Sequence, residues 1–183
     1  MSVTWIVLGV LGAAILWLIY AYNSLVSLRN RVQEASSDIE VQQKRRYDLT
    51  PNLVETVKGY AKHERETLEK VTDMRTRAMQ AKTPQAQAQA ENMLTGALKS
   101  LFAVAENYPD LKANQNFQHL QQELVDAEDK IMSARRFYNA NVRDLNIKIE
   151  SFPTNLIAGW LKFSKFPLFD ASDEETKAVK VSF

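Results

Sequence analysis

The sequence predicts an all-α protein in which a single N-terminal transmembrane helix continues into an antiparallel four-helix bundle, followed by a short amphipathic aromatic C-terminal segment. Two observations predict this class. The chain opens with a long uncharged apolar run, and beyond it apolar residues recur at steps of three and four, which is the period of helices with one buried face. We divide the chain into a transmembrane anchor (1–23), a helical bundle (24–150) and a membrane-proximal segment with a flexible tail (151–183).

The anchor is Val3–Tyr22, which contains no charged residue. About 20 apolar residues are enough for a helix to cross the hydrocarbon core of a bilayer. Trp5 near one end and Trp17 and Tyr20 near the other suit the two interfacial belts. A cleaved signal peptide is the alternative, but it would have basic residues before the apolar run and a small-residue cleavage site after it. The sequence has neither, so we predict a retained single-pass span.

The flanking charges predict how the span is oriented. No Lys or Arg precedes it, whereas Arg29 and Arg31 follow closely, so the positive-inside rule places the N-terminus outside and the bundle in the cytoplasm. Gly9 and Ala13 form a small-xxx-small pair, a candidate site at which two spans pack together. The alternative is that they are two small residues in an ordinary span.

Four helices are predicted beyond the anchor from the spacing of their apolar residues. The first continues straight out of the anchor. The Ala-Gln repeat at 85–92 alternates like a strand, but Ala and Gln favour helices, so we expect it to open the third helix; disorder is the alternative. The apolar residues are Leu25, Leu28, Val32, Ala35 and Ile39 in the first helix; Leu53, Val57, Tyr60, Leu68 and Val71 in the second; Met93, Leu94, Leu98, Leu101 and Val104 in the third; and Phe117 to Ile149 in the fourth.

Thr-Pro pairs predict where helices begin. Thr50 is expected to cap the second helix and Pro51 to occupy its first position, where a missing N–H costs nothing. Thr83 and Pro84 are expected to do the same for the third helix, and Asn114 to cap the fourth. Short connections between such helices imply antiparallel neighbours.

In an up-and-down bundle the first and third connections lie at the end farthest from the membrane. We therefore predict a partner-binding surface there. Arg and Tyr are enriched among binding hot spots; the alternative is that these side chains satisfy loose backbone groups at helix ends. The candidate residues are Arg45, Arg46, Tyr47, Asp48 and Asn52 from one turn, and Tyr108, Asp110, Asn114 and Asn116 from the other.

The fourth helix is expected to return the chain to the membrane surface. The segment that follows mixes aromatic residues with lysines, a composition typical of interfacial segments. The alternative is that its aromatic side chains cap the open end of the bundle core. The candidate membrane-interface residues are Trp160, Lys162, Phe163, Lys165, Phe166 and Phe169.

Four segments carry a family resemblance. "YNSLVSLRNRVQEASSDIEVQQKRRYDLTPNLVETVKGYAKHE" (22–64), "YPDLKANQNFQHLQQEL" (108–124), "ARRFYNANVRDLN" (134–146) and "FPTNLIAG" (152–159) resemble the signature segments of the LemA family of bacterial membrane proteins. Ser36 departs from the tryptophan expected there in many members. The resemblance implies a single N-terminal transmembrane helix and an antiparallel bundle, and it implies no settled activity.

The residues needed for common active sites are missing from the sequence. It has no cysteine, and His63 and His119 are its two histidines. A zincin helix needs a second histidine four residues after the first, and a bundle di-iron centre needs Glu three residues before a histidine, where this chain has Tyr60 and Asn116. Glycines form no phosphate loop, and a net charge of +1 argues against nucleic acid. We predict no catalytic residue, no cofactor, no metal and no small-molecule substrate.

The functional hypothesis is a non-catalytic, membrane-anchored scaffold or adaptor with coiled-coil-like helix packing. Its expected partners are the lipid bilayer, further copies of the chain in a homo-oligomer, and another membrane protein. Two alternatives stay open: an accessory or regulatory subunit of a membrane enzyme such as a stress-response protease, and a membrane-remodelling oligomer.

Overall fold

The computed structural model describes residues 2–169, apart from the side chains of residues 2, 84 and 85. Over this range the chain is helical and contains no strand, so the all-α fold class is confirmed. One described helix, α1, is long and apolar enough to cross a membrane, and its apolar window lies near the N-terminus. The helices are α1 (Ser2–Tyr60), α2 (Arg65–Gln80), α3 (Pro84–Ala105), α4 (Pro109–Lys112), α5 (Gln115–Glu150) and α6 (Thr154–Trp160).

The chain folds as two compact units. The first contains the chain up to Asp38 together with Ala134–Leu168, and the second contains Ile39–Ser133. The long helices α1 and α5 each contribute residues to both.

In the second unit α1 and α5 run antiparallel. Asn114, just before α5, donates a hydrogen bond from Nδ2 to the Tyr60 hydroxyl at the end of α1 (2.9 Å). Further along α5, Glu128 pairs with Arg46, which lies earlier on α1. The residue numbers rise on one helix as they fall on the other, as an antiparallel pair requires.

The other two helices of the second unit complete a four-helix bundle. Arg75 of α2 reaches back to Tyr47 of α1, so α2 returns along α1. Gln87 of α3 donates to Gln43 of α1 (2.8 Å), so α3 runs outward again before α5 returns. The order is that of the predicted up-and-down bundle. Its core contains Leu53 and Val57 from α1, Leu68 and Val71 from α2, Leu94, Leu98 and Leu101 from α3, Leu111 from α4, and Phe117 and Leu124 from α5.

The predicted helix break at Thr50 and Pro51 is wrong, because α1 continues through Pro51 to Tyr60. A proline inside a helix cannot donate to the carbonyl four residues earlier, which here belongs to Tyr47. The Arg75 Nε of α2 donates to that carbonyl at 2.7 Å and replaces the missing bond. Thr50 is buried and donates its hydroxyl to the Arg46 carbonyl (2.7 Å) instead of capping a new helix.

The first connection lies at residues 61–64, inside the stretch predicted as the second helix. The Ala61 N–H still bonds to the Val57 carbonyl (2.8 Å), and the chain then turns through Glu64. Glu64 precedes α2 without a side-chain capping bond, so this turn lacks the usual sequence signature of a helix start.

The other predicted helix starts are confirmed. Thr83 caps α3 by accepting a hydrogen bond from the Ala86 N–H (3.2 Å), and the Ala-Gln repeat is helical. The Asn114 Oδ1 accepts from the Phe117 N–H (3.0 Å) at the start of α5. Short helix α4 lies in the connection before it.

The first unit joins the early part of α1 to the end of α5, to α6 and to the segment 161–168. Its buried apolar residues are Ala21, Leu25, Val32 and Ala35 of α1, Tyr138, Val142 and Leu145 of α5, and Ile157 and Ala158 of α6. The Lys148 Nζ of α5 lies 5.7 Å from the ring centroid of Tyr20. By contrast, the large apolar side chains from Val3 to Tyr20 are exposed, as expected of a lipid-facing span.

Candidate functional site

The residues predicted to form one partner-binding surface lie in two different places. Arg45 to Asn52 lie within α1, whereas Tyr108 to Asn116 extend from the start of α4 to the first turn of α5. Asn52 is eight residues before Tyr60, the last residue of α1, which is about 12 Å along a helix axis. The expected juxtaposition of the two turns is therefore wrong, because the first of them does not exist.

Arg46 is the centre of a buried ionic network in the second unit. Arg46 and Glu91 of α3 are each 1% exposed and form an ion pair. The Arg46 Nη1 also pairs with Glu128 of α5 and donates to the Thr95 hydroxyl (2.9 Å). The Thr95 hydroxyl donates in turn to the Glu128 carboxylate (2.9 Å). One guanidinium thus ties α1, α3 and α5 together.

The neighbours of Arg46 extend this network. The Tyr47 hydroxyl donates to the Glu91 carboxylate, so that carboxylate is held by two residues of α1. Arg45 pairs with Glu123 of α5 at the edge of the unit, and this hydrogen bond lowers the pKa of Glu123. Because the pKa of Glu123 is lower in the folded protein than in the unfolded chain, the ion pair stabilises the fold at pH values above the unfolded pKa. This stabilisation is lost as the pH falls through the lowered pKa of the folded state.

The remaining predicted residues of α1 are exposed. Asp48 pairs with Lys44 one turn earlier (2.7 Å), a surface contact of small energetic weight. Asn52 is exposed, and its backbone carbonyl accepts from the Thr56 hydroxyl (2.8 Å). Neither residue belongs to the buried network.

A polar and aromatic cluster lies where α1 ends and α5 begins. The Tyr108 hydroxyl donates to Glu64 (3.1 Å), and Asn114 donates to Tyr60. Burial, together with the hydrogen bond to Glu64, raises the pKa of Tyr108. This end cluster takes the place of the predicted tip, and it contains two residues, Tyr60 and Glu64, that the sequence pattern did not assign to it. Asp110 and Asn116 lie nearby in the chain and are exposed.

A groove of about 820 Å³ runs between the end of α1 and α2. Val54 and Leu68 contribute apolar surface to it. Its charged lining carries both signs: Glu55, Lys58 and Lys62 before the turn, and Arg65, Glu69 and Asp73 on α2. Such a surface matches an amphipathic helix with charges at its margins.

In the first unit, the segment after α6 is held against α5. The Asn146 side chain accepts from the Phe166 N–H (3.1 Å) and donates to its carbonyl (2.9 Å). The Tyr138 hydroxyl donates to the Pro167 carbonyl (3.1 Å), and burial raises the pKa of Tyr138. Lys165 pairs with Glu150. This part of the chain is therefore fixed by specific hydrogen bonds.

The predicted membrane-interface residues fall into two groups. Trp160, Lys162 and Lys165 are exposed, whereas Phe163, Phe166 and Phe169 are half-buried. The sequence pattern missed Phe152 and Leu156, which are exposed in the turn before α6 and on α6 itself. Phe152, Leu156 and Trp160 follow one another at steps of four residues, and this spacing was the available signal.

Two smaller sets of candidates stay as predictions. No neighbouring atom lies within contact distance of an added side chain at Gly9, and Ala13 is exposed, so this face of the span is open to a second copy. His63 and His119 are exposed. Among residues 2–169, no three His, Asp or Glu side chains come close enough to hold a metal ion.

A span-length apolar helix that leads into a helical bundle defines the class: a membrane-associated helical-bundle protein. Within that class the LemA family profile matches residues 35–183. The chain belongs to the LemA family.

Three relatives are similar to most of this chain. Protein LemA of Metamycoplasma hominis is 33% identical over 164 residues, covering 87% of this chain and 74% of the relative. Magnetosome protein MamQ 2 of Paramagnetospirillum magneticum is 29% identical, covering 86% of this chain and 67% of the relative. Magnetosome protein MamQ of Magnetospirillum gryphiswaldense is 27% identical, covering 87% and 68%.

Proposed function

We propose that this protein is a non-catalytic scaffold or adaptor, anchored in the bacterial inner membrane by α1, whose bundle binds a further copy of the chain. The observation that carries the proposal is the Arg46 network. Its charged groups pair with one another across three helices, so they hold the bundle in one arrangement and are not directed at a substrate. A rigid bundle suits a protein that works by presenting surfaces.

The groove between α1 and α2 supplies the surface. Its margins carry both signs of charge, which favours a partner helix with the opposite pattern. Two copies related by a two-fold axis satisfy this condition when the lysines of one groove, Lys58 and Lys62, face the acidic residues of the other, Glu69 and Asp73. The anchor adds to the effect, since confining copies to one membrane raises their effective concentration.

Membrane remodelling by oligomers is the second candidate. It is favoured by the exposed apolar side chains of Phe152 and Trp160, and two of the relatives are named magnetosome proteins. Both candidates place the protein at a membrane surface.

Photo-crosslinking in living cells tests the scaffold proposal. A benzoylphenylalanine replaces Lys62, an exposed residue of the groove, and in a control strain replaces Gln122, an exposed residue of α5. We expect a covalent dimer of the chain from the Lys62 position, absent from the control and lost when Lys58 is changed to Glu.

The other outcomes are equally informative. One different protein captured at Lys62, and released by the same Lys58→Glu change, would replace self-assembly by an adaptor or accessory-subunit role. The same adducts at Lys62 and Gln122 would show that the groove has no specific partner and that the proposal is wrong.

The cytoplasmic placement of the bundle has its own test. Because the natural chain has no cysteine, a single Ser133→Cys change gives one thiol in the full-length protein. We expect a membrane-impermeant maleimide to label it in broken cells and not in intact spheroplasts. Labelling in intact spheroplasts would reverse the proposed topology.

A further inference from the structure

The turn into α6 and α6 itself carry an exposed apolar stripe formed by Phe152, Leu156 and Trp160. Their side chains are 80%, 65% and 82% exposed. On the opposite face of α6, Thr154, Ile157 and Ala158 are buried. A surface helix in water normally turns polar residues outward, whereas this one presents large apolar side chains on both faces. Single exposed apolar residues are common, but a continuous stripe indicates a contact surface.

The stripe lies close to the end of the membrane span. The Lys148 ammonium sits over the ring of Tyr20, and Tyr20 lies at the C-terminal end of the charge-free run. Tyrosines at that position occupy the headgroup region of a bilayer. Phe152 follows Lys148 by only four residues, so the stripe begins at the level of the lipid headgroups.

A cavity of about 310 Å³ lies beside the same end of the span. Tyr22 and Arg29 of α1 line it on one side, and Lys162, Phe163 and Ser164 line it on the other. None of its described lining residues is acidic. A guanidinium, an ammonium and a hydroxyl are groups that bind phosphate oxygens.

The backbone conformation at Lys162 indicates a functional role for its side chain. Lys162 has a positive φ of 55°, a conformation that suits glycine far better than lysine. It ends α6 in a Schellman motif: the Lys162 N–H donates to the Gly159 carbonyl (3.2 Å), and the Phe163 N–H donates to the Ala158 carbonyl (2.9 Å). Glycine would make the same hydrogen bonds without strain, so what the lysine adds is its cationic side chain, and Lys162 lines the cavity.

We propose that the α6 turn is a second membrane contact of this protein, and that the cavity binds the headgroup of an anionic phospholipid. The stripe inserts among the acyl chains, while Arg29 and Lys162 hold the phosphate. Lys165 lies outside the cavity lining and is paired with Glu150, so it takes no part. The inference goes beyond the scaffold proposal and depends on no protein partner.

The depth of the stripe is measured with the full-length protein in vesicles of phosphatidylcholine and phosphatidylglycerol with brominated acyl chains. The chain has three tryptophans, so Trp5→Phe and Trp17→Phe leave Trp160 as the sole tryptophan, whose emission is followed. We expect the bromines to quench Trp160 strongly. In the control, Trp160→Phe is combined with Val125→Trp on the exposed surface of α5, and we expect little quenching. Equal quenching at the two positions would overturn the membrane contact.

The headgroup site is measured by titrating the full-length protein in a zwitterionic detergent with dioctanoyl phosphatidylglycerol. We expect Lys162→Gly and Arg29→Gln each to weaken binding about fivefold, the contribution of one cation at an anionic lipid surface. Because glycine suits the backbone at 162, a loss of fold cannot explain the Lys162→Gly result. The control, Lys165→Gln, makes the same charge change outside the cavity and is expected to weaken binding less than about twofold.

Three results would overturn the lipid site. Equal weakening by Lys165→Gln and Lys162→Gly would indicate general surface charge. Equal binding of dioctanoyl phosphatidylcholine would remove the preference for an anionic headgroup. Competition by inorganic phosphate at the same concentration as the lipid would assign the cavity to a free anion.

Discussion

The two compact units of this protein differ in where they place charged and apolar side chains. The unit formed by Ile39–Ser133 buries charged side chains, with Arg46 and Glu91 deep in its interior. The unit that contains α6 exposes large apolar side chains, with Phe152 and Trp160 almost fully outside. A buried charge requires an exact partner, and an exposed apolar surface requires a non-aqueous neighbour. The buried charges therefore specify how the helices of their unit align, and the exposed apolar side chains specify the environment that their unit requires.

The buried network is better understood as a determinant of helix register than as a source of stability. Desolvation of two charges offsets much of their attraction, so buried ion pairs add little net stability, whereas removal of one partner is costly. Arg46 is satisfied only when Glu91 and Glu128 lie at its level on α3 and α5. A slip of one helix by a turn, about 5.4 Å, would leave buried charges unpaired. We therefore interpret the network as the feature that selects one alignment of the bundle.

The largest expected effect comes from breaking that network. Arg46→Ala leaves the Glu91 carboxylate buried without its ion-pair partner, and we expect the free energy of unfolding to fall by about 3–5 kcal/mol. Urea unfolding of the full-length protein in mild detergent, followed by circular dichroism, measures it.

Two further variants test the interpretation. Arg45→Ala breaks the ion pair with Glu123 at the edge of the unit, and we expect a much smaller loss. Arg46→Met combined with Glu91→Met removes both buried charges and should recover most of the stability lost in Arg46→Ala. If Arg46→Ala and Arg45→Ala behaved alike, the contrast between interior and edge would not hold.

The next effect separates the two faces of α6. Ile157 is 7% exposed, and truncation of a buried isoleucine to alanine costs about 2–5 kcal/mol of unfolding free energy. Leu156, its neighbour, is exposed, so Leu156→Ala should change that free energy by less than about 0.5 kcal/mol. The same unfolding measurement compares them. A large loss in Leu156→Ala would show that the stripe is covered by protein.

The smallest of the three effects concerns the proline in α1. Arg75→Met keeps the length of the side chain but leaves the Tyr47 carbonyl without the bond from Nε, and we expect a loss of about 1–3 kcal/mol in the free energy of unfolding. Pro51→Ala restores an N–H that can bond to the same carbonyl. In a double-mutant cycle Arg75→Met should therefore cost less in the Pro51→Ala background. Additive effects would mean that Arg75 does not compensate for the proline.

The two Thr-Pro pairs show how far local sequence signals reach. Thr83 caps α3 as predicted, and α2 has already ended at Gln80 before this pair. Thr50 and Pro51 have the same local signature, yet the helix continues, because Arg75, more than 20 residues away in the chain, supplies the missing hydrogen bond. The distinction depends on a tertiary contact that no local pattern contains.

The candidate site residues also divide into those that a local sequence signal predicts and those that a tertiary contact decides. The connection before α5 was predicted correctly, since Asn114 has a recognisable capping role. Arg46 was assigned to a turn because Thr50 and Pro51 suggested that a helix ends there. Its burial was decided by Glu91 and Glu128, which come from other helices. The true turn at 61–64 has no capping side chain, so the sequence offered no signal for it.

The sequence by itself determined the features that depend on neighbours along the chain: the span-length apolar helix, the helical period, and the starts of α3 and α5. These follow from backbone hydrogen bonding and side-chain spacing within a few residues. The tertiary structure alone decided that α1 passes through Pro51 and that Arg46 is buried. Each of these depends on a partner distant in sequence, whose hydrogen bond or charge reverses what the local residues favour.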